Sequence, residues 1–520
     1  MPKTLRDLIV AFSLANLCFI AAWRVLVNPL HYSYYHWKYY PGFTEYVALV
    51  IDVSVLAALF WGAATLARRS GRPAVQRVAG WAFLLALVVP LNDLRMQFLP
   101  YILSFGKFLL IPLAVLSLVA VVALWRWRAY LVRAAVALVL ILSPFALISL
   151  AQGAWFTYKH RTNAALAVDR PADPLPRPAN LAGGRVVWIV FDELDQGRAF
   201  VKRADGLDLP EFDRLRREAV FAENALPPSS DTLFSMPSLI SGQQIEWALA
   251  VRANELSVIT KGSAKQVAWS TQPNVFSEAR QLGAETALAG WYHPYCRVIG
   301  ASLSSCFWEP VVDEISPLRG KPTLVKSMAY WATITLFRIP GAFRLLERWY
   351  ERGRRQDHIE QQSRIMERAR AMAKERGFGL TLLHFPVPHP PFIYDRAGRA
   401  ISDGAAHTYE DNLALADRTL GELRREMEAA GLWDDTAVIV SSDHWLRPPY
   451  VSHIDQRVPF IVKLPGQREG SSYATPFNTV VTRPLILSLL RQEVTDPPGL
   501  VRWLDQNRSD AQPTIGITVR

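Results

Sequence analysis

Five apolar runs fill the first 155 residues, at 8–27, 46–67, 78–100, 108–124 and 134–150. A hydrocarbon core of about 30 Å is crossed at 1.5 Å per helical residue, so most of these runs are long enough to span it. The third is the weakest, because after Pro90 it continues through Asn92, Asp93 and Arg95. A cleaved signal peptide does not account for the first run, since no small-residue cleavage site follows it and four more runs do. The sequence therefore predicts a membrane domain of five transmembrane helices over residues 1–154.

Charge gives the orientation. The chain has 57 Lys+Arg against 46 Asp+Glu, a net of +11. Thirteen of the basic residues and only four of the acidic ones lie before residue 156, which leaves 44 and 42 for the rest. The larger, later part is thus nearly neutral and carries no electrostatic footprint for nucleic acid. In the apolar part, Lys3, Arg6, Arg68, Arg69, Arg72, Arg77, Arg126, Arg128 and Arg133 fall at one face of the predicted bundle, against Arg24, Lys38, Arg95 and Lys107 at the other. By the positive-inside rule the N-terminus is cytoplasmic, and everything after residue 155 is extracytoplasmic. The aromatic loop 31–40 (HYSYYHWKYY) suits an interfacial belt on the outer face. Asp52 and the Asn92/Asp93/Arg95 group either meet a lipid headgroup, or pair with one another or sit at an interface. Cys296 and Cys306, ten residues apart, can close a disulfide loop that would agree with an outer compartment; two free thiols is the alternative.

Residues 155–183, rich in Pro, Ala and charge, read as a linker. Beyond them, over 184–520, short apolar runs alternate with helical stretches. Strands are predicted at 186–191 (VVWIVF), 380–385, 437–441 and 460–464, and helices at 357–374 and 409–430. This is the pattern of an α/β domain around a buried central sheet. Ligands in such folds gather beyond the carboxyl ends of strands. Asp192 and Glu193 end the first strand, His384 and His389 follow the second, and Asp443 and His444 follow the third. Together they form an oxygen and imidazole set suited to one divalent ion, Zn²⁺ or Mn²⁺ ahead of Mg²⁺ or Ca²⁺. The segment PPSSDTLFSMPSLISG (227–242) adds hydroxyls at a helix start, either as a plain N-cap or as a nucleophile next to an anion site.

With these motifs in order, residues 184–500 resemble the alkaline phosphatase and sulfatase superfamily. VVWIVFDE looks like its first metal-ligand strand, Thr232 stands ten residues before Gly242 as its nucleophile does, and the helix and turn leading to AVIVSSDH look like its late motif. RVPFIVKLPG is similar to its last core strand. Spans placed before such a domain resemble membrane-bound phosphoethanolamine transferases and lipoteichoic-acid-type phosphoglycerol transferases.

The resemblance implies a sulfatase-like fold with a central mixed sheet, one metal held by Asp192, Thr232, Asp443 and His444, and His389 and His453 facing the substrate. Glu193 is either a further ligand or a helix-start carboxylate. Two residues depart from the pattern: Met236 replaces an arginine that formylglycine sulfatases need, which argues against that chemistry, and Trp445 replaces the usual glycine. The implied reaction moves a phospho-headgroup from a membrane lipid to an envelope glycan or glycolipid through phospho-Thr232. A membrane-anchored phosphate- or sulfate-ester hydrolase and a non-catalytic scaffold that keeps the fold are the alternatives.

Overall fold

A computed structural model describes residues 3–28, 33–38, 41–104, 126–127, 129–159, 183–311, 323–404, 406–451 and 454–515. The chain forms two compact units that interleave in sequence. The first comprises Met1–Pro29, Tyr39–Ala165 and Ser316–Arg348, and the second Leu30–Lys38, Leu166–Ile315 and Trp349–Arg520. Segments 30–38 and 316–348 thus lie in the unit other than the one that a single cut near residue 155 would give them.

In the first unit, three helices are long and apolar enough to cross a membrane: Phe43–Arg69, Pro73–Phe98 and Ala129–Lys159. The pair Lys3–Cys18 and Ile20–Val27, bent by 61°, makes a fourth if counted as one span. These match four of the five predicted runs, and the run 108–124 lies outside the described residues. Val10, Leu14 and Cys18 pack with Val89 and Val139 to form the unit's small core.

Polar groups of the first unit are paired at one end. Asp93 accepts from both terminal nitrogens of Arg24 at 3.2 Å and lies 3.2 Å from Nε of Arg338, while Gln97 donates to it at 2.8 Å. Asn92 accepts from Nε of Arg95 at 2.8 Å and donates to the Arg338 carbonyl at 2.9 Å. Within the 92–95 group only Asn92 and Arg95 pair with each other; Asp93 pairs with Arg24 and Arg338. The helix Leu324–Leu336 covers Glu45, whose carboxylate accepts from Ser327 Oγ at 3.2 Å and whose carbonyl accepts from Trp331 Nε1 at 2.9 Å. Asp93→Asn is expected to cost about 2 kcal/mol, read as a lower melting temperature in detergent. That is less than for a fully buried pair, because Arg24 and Arg338 keep 35% and 24% of their side chains exposed.

The second unit is built on an eight-stranded mixed sheet. In chain order its strands are β1 (Arg185–Asp192), β2 (Val220–Ala222), β3 (Glu285–Tyr292), β4 (Ser305–Pro310), β5 (Phe378–Pro388), β6 (Thr436–Ser442), β7 (Phe460–Lys463) and β8 (Ser471–Tyr473). Their spatial order is β8-β2-β7-β6-β1-β5-β3-β4, and only β7 runs against its neighbours. The four predicted strands are β1, β5, β6 and β7. Their near-continuous apolar runs follow from burial on both faces. Val186, Trp188 and Val190 of β1 join one core with the helices Thr232–Ser241 and Thr482–Leu490, whereas Val187, Ile189 and Phe191 join the other with the helix Tyr409–Ala429. Parallel neighbours β6, β1 and β5 therefore end side by side at the middle of the sheet.

The aromatic loop differs from the sequence expectation. Its described part, 33–38, is not an interfacial belt: Tyr34, Tyr35 and Trp37 are fully buried, and Tyr35 belongs to a core of the second unit. Aromatic side chains serve a lipid boundary and a protein interior equally well, so composition did not separate the two. Cys296 and Cys306 are joined as a disulfide with Cα atoms 5.6 Å apart.

Candidate metal centre

Asp192 ends β1, and Asp443 and His444 directly follow β6, the strand beside it. After Asp192 the chain turns sharply at Glu193, whose φ of 61° lies in the left-handed region. That conformation costs a non-glycine residue about 1 kcal/mol. It aims the Glu193 N–H at Asp443 Oδ1, at 3.3 Å. His444 N–H donates to the same oxygen at 2.8 Å, and Ser442 Oγ ties the two strand ends by donating to the Phe191 carbonyl at 2.8 Å.

Thr232 is the first residue of the helix Thr232–Ser241, N-capped by Asp231 and closed by Gly242 at φ 66°. Its hydroxyl stands 3.1 Å from Asp192 Oδ2 and 3.1 Å from His444 Nε2. His444 Nε2 is 3.4 Å from Asp443 Oδ2 and 3.6 Å from Asp192 Oδ1. The other ring nitrogen, Nδ1, is 3.0 Å from the Trp445 carbonyl, which can only accept. That bond fixes the tautomer and leaves Nε2 with a free lone pair, the usual outer-shell arrangement of a metal-ligating histidine.

All four side chains are buried. Asp192 Oδ1 and Asp443 Oδ2 have no hydrogen-bond partner among the described residues. Burial, with the charges of Asp443 and Glu193 next, raises the Asp192 pKa well above its ordinary value; Asp443 is raised too, first by burial. Burial lowers that of His444 far below the ordinary imidazole value. Two costly carboxylates with orphaned oxygens, facing a neutral imidazole, are the complement of a cation. Asp192, Asp443 and His444 can hold a metal ion, with the Thr232 hydroxyl beside them.

The remaining predicted residues lie around this group. Glu193 Oε1 accepts from Arg447 Nε at 2.8 Å, and burial pushes its pKa up to about 7 against the pull of that guanidinium. Arg447 also donates to Asp231 at 3.2 Å. It thereby joins the residue after Asp192, the residue before Thr232 and the segment after His444, and nothing in the local sequence marked it. His389 follows β5, its N–H donating to the Asp192 carbonyl at 3.1 Å and its ring against Trp291. Burial and the nearby Arg447 cation lower its pKa. His384 Nε2, buried, is 3.9 Å from Asp192 Oδ2. His453 lies outside the described residues. Trp445 and Met236 are buried, Met236 in the core that the helix Thr232–Ser241 shares with β1.

A family model of type I phosphodiesterases and nucleotide pyrophosphatases matches residues 189–448. No curated protein matches the chain at a significant level. Among solved structures, the chain is similar to a protein in the alkaline phosphatase superfamily from Vibrio parahaemolyticus, at 13% identity and a TM-score of 0.39; the match covers 59% of this chain and 66%, just under two thirds, of that one. It is also similar to the lipoteichoic acid synthase LtaP from Listeria monocytogenes (14% identity, TM-score 0.37, 59% and 72% covered) and to the sulfatase PsFucS1 from Pseudoalteromonas sp. (14%, 0.40, 59% and 67%). Half of the chain, from within β1 past Asp443 and His444, matches the family model. The chain belongs to the type I phosphodiesterase and nucleotide pyrophosphatase family of enzymes.

Proposed function

We propose that this protein is a membrane-anchored, metal-dependent phosphotransferase that moves a phospho-headgroup from a lipid to an envelope glycan or glycolipid through a phospho-Thr232 intermediate. The observation that carries it is the Thr232 hydroxyl, 3.1 Å from both Asp192 and His444 at the first turn of a helix. A threonine hydroxyl is a weak nucleophile, and a divalent ion held by Asp192, Asp443 and His444 would favour its alkoxide and take up charge from the phosphoryl oxygens. Thr232 Oγ forms the new P–O bond as the bond to the leaving oxygen breaks, and that oxygen takes a proton from His389 or His453. His389, its pKa lowered, gains its proton as the anionic phosphodiester enters. The acceptor hydroxyl then attacks phospho-Thr232, giving up its proton to the same histidine. Arg447 holds Glu193 and Asp231 in place throughout.

Phosphodiester chemistry suits a lipid headgroup, which is joined by two ester bonds. The apolar helices would keep that donor close, the Arg68–Arg77 cluster would place the second unit outside, and the disulfide fits an oxidising compartment. Purified protein given a labelled phospholipid should release diacylglycerol only when a glycan or glycolipid acceptor is added, as read by thin-layer chromatography. Equal release in water alone would instead assign it as a hydrolase.

A further inference from the structure

The segment 33–38 lies between the helices Ile20–Val27 and Phe43–Arg69, yet it is built into the second unit. Lys38 Nζ binds Glu309 Oε1 at 3.0 Å and lies 4.8 Å from the Phe307 ring centre, while Arg297 Nη2 donates to the Trp37 carbonyl. These contacts seat the arm. Its innermost side chain, Tyr35, is fully buried with its hydroxyl 2.8 Å from His293 Nδ1. His293 Nε2 in turn lies 3.0 Å from the carbonyl oxygen of Thr232.

The proton positions along this chain follow from chemistry alone. A carbonyl accepts, so Nε2 carries the hydrogen and donates to Thr232. The fully buried ring disfavours a second, charging proton, so it has that one proton only. Nδ1 is therefore an acceptor, and the Tyr35 hydroxyl donates to it. Trp269 and Tyr295 pack on the ring at centroid distances of 5.2 and 5.6 Å, and His293 itself is fully buried. Without the Tyr35 hydroxyl, Nδ1 would be an unpaired acceptor, and the tautomer that holds the Thr232 peptide would lose its anchor.

We infer that Tyr35 and His293 are positioning residues for the nucleophile: an arm from the apolar half of the chain sets the first turn of the Thr232 helix by a two-bond relay. The inference rests on Thr232 being the nucleophile. Reactive geometry tolerates little displacement, and the Thr232 carbonyl is taken by His293 Nε2.

The test uses the full chain in detergent with bis(p-nitrophenyl) phosphate as probe. In Tyr35→Phe, which keeps the ring and its packing, kcat should fall on the order of ten- to a hundredfold, with KM within about twofold and bound metal unchanged. His293→Gln should fall similarly, and the double variant should be no worse than the single ones, as members of one relay are not independent. Lys38→Ala, which loosens the seat but not the relay, should keep kcat within about threefold. A wild-type kcat in Tyr35→Phe, or multiplicative losses in the double variant, overturns the relay alone. An active wild type that never forms phospho-Thr232 in acid-quenched turnover overturns the nucleophile assignment, and the relay with it.

Discussion

Thr232→Ala should lower turnover of a phosphodiester by a factor on the order of 10⁴ or more, as removal of a nucleophile does in other covalent enzymes. The fold should survive the change. Thr232 is the first helical residue, not the cap; Asp231 keeps its side-chain bond to the Leu233 N–H at 3.0 Å, and alanine is the better helix former. Metal content should drop far less than activity, because Asp192, Asp443 and His444 remain. Thr232→Ser keeps the hydroxyl and should recover part of the rate. The measurement is the initial rate, paired with mass spectrometry of acid-quenched protein for a phosphate on Thr232. A variant with alanine that keeps a tenth of the wild-type rate would remove Thr232 from the chemistry.

Asp443→Asn should lose the metal. The amide retains the oxygen that accepts from Glu193 and His444 N–H, so the turn can persist, while the charge facing His444 is gone. Outer-shell partners alone are worth about ten- to a hundredfold in metal affinity, so a direct ligand should cost more than a hundredfold, read by competition with a chelating dye. The wild type at a hundred times its dissociation constant gains about 2.7 kcal/mol from the ion, and the variant should melt as if chelated.

Acidity sharpens this test. In the metal-free protein, Asp192 and Asp443 hold protons that their unfolded counterparts release above about pH 4. The native state then binds more protons than the unfolded one, so metal-free stability falls as pH rises through the neutral range. Above about pH 7.5 the histidines, lowered by burial in the native state and nearly fully deprotonated in the unfolded chain, are neutral in both states and add little slope. Melting temperatures with chelator should therefore decline from about pH 7.5 to 9. Saturating Zn²⁺ should abolish or reverse that decline, since the carboxylates are then ionised in the native state, and Asp443→Asn should flatten it.

What could be read from the residues alone follows from how far each signal reaches along the chain. Asp192, Asp443 and His444 were visible because an apolar run burying both faces ends abruptly in acid or imidazole, a pattern local to about eight residues. Thr232 was singled out by the family resemblance, ten residues before Gly242; the residues themselves offered only hydroxyls at a helix start. Arg447 and Tyr35 were not visible. Their partners Glu193 and His293 lie 254 and 258 positions away, and nothing in LRPPY or SYYH says what they will meet. The segment 323–348 was hidden in another way. Its apolar residues look like any helix of an α/β domain, yet they pack on Glu45 and the 92–96 turn of the first unit. Periodicity shows which face is buried, not what buries it.

That late segment sets a timetable for biogenesis. Glu45 and Asp93 leave the ribosome long before Ser327, Trp331 and Arg338 exist. At roughly 5–20 residues per second the wait between Asp93 and Arg338 is about ten to fifty seconds. During it Asp93 has Arg24 for company, but Glu45 lacks the helix that covers it. The apolar part of this chain is made early and finished late, so a ribosome stalled between the two would leave Glu45 without its cover, a natural target for quality-control proteases.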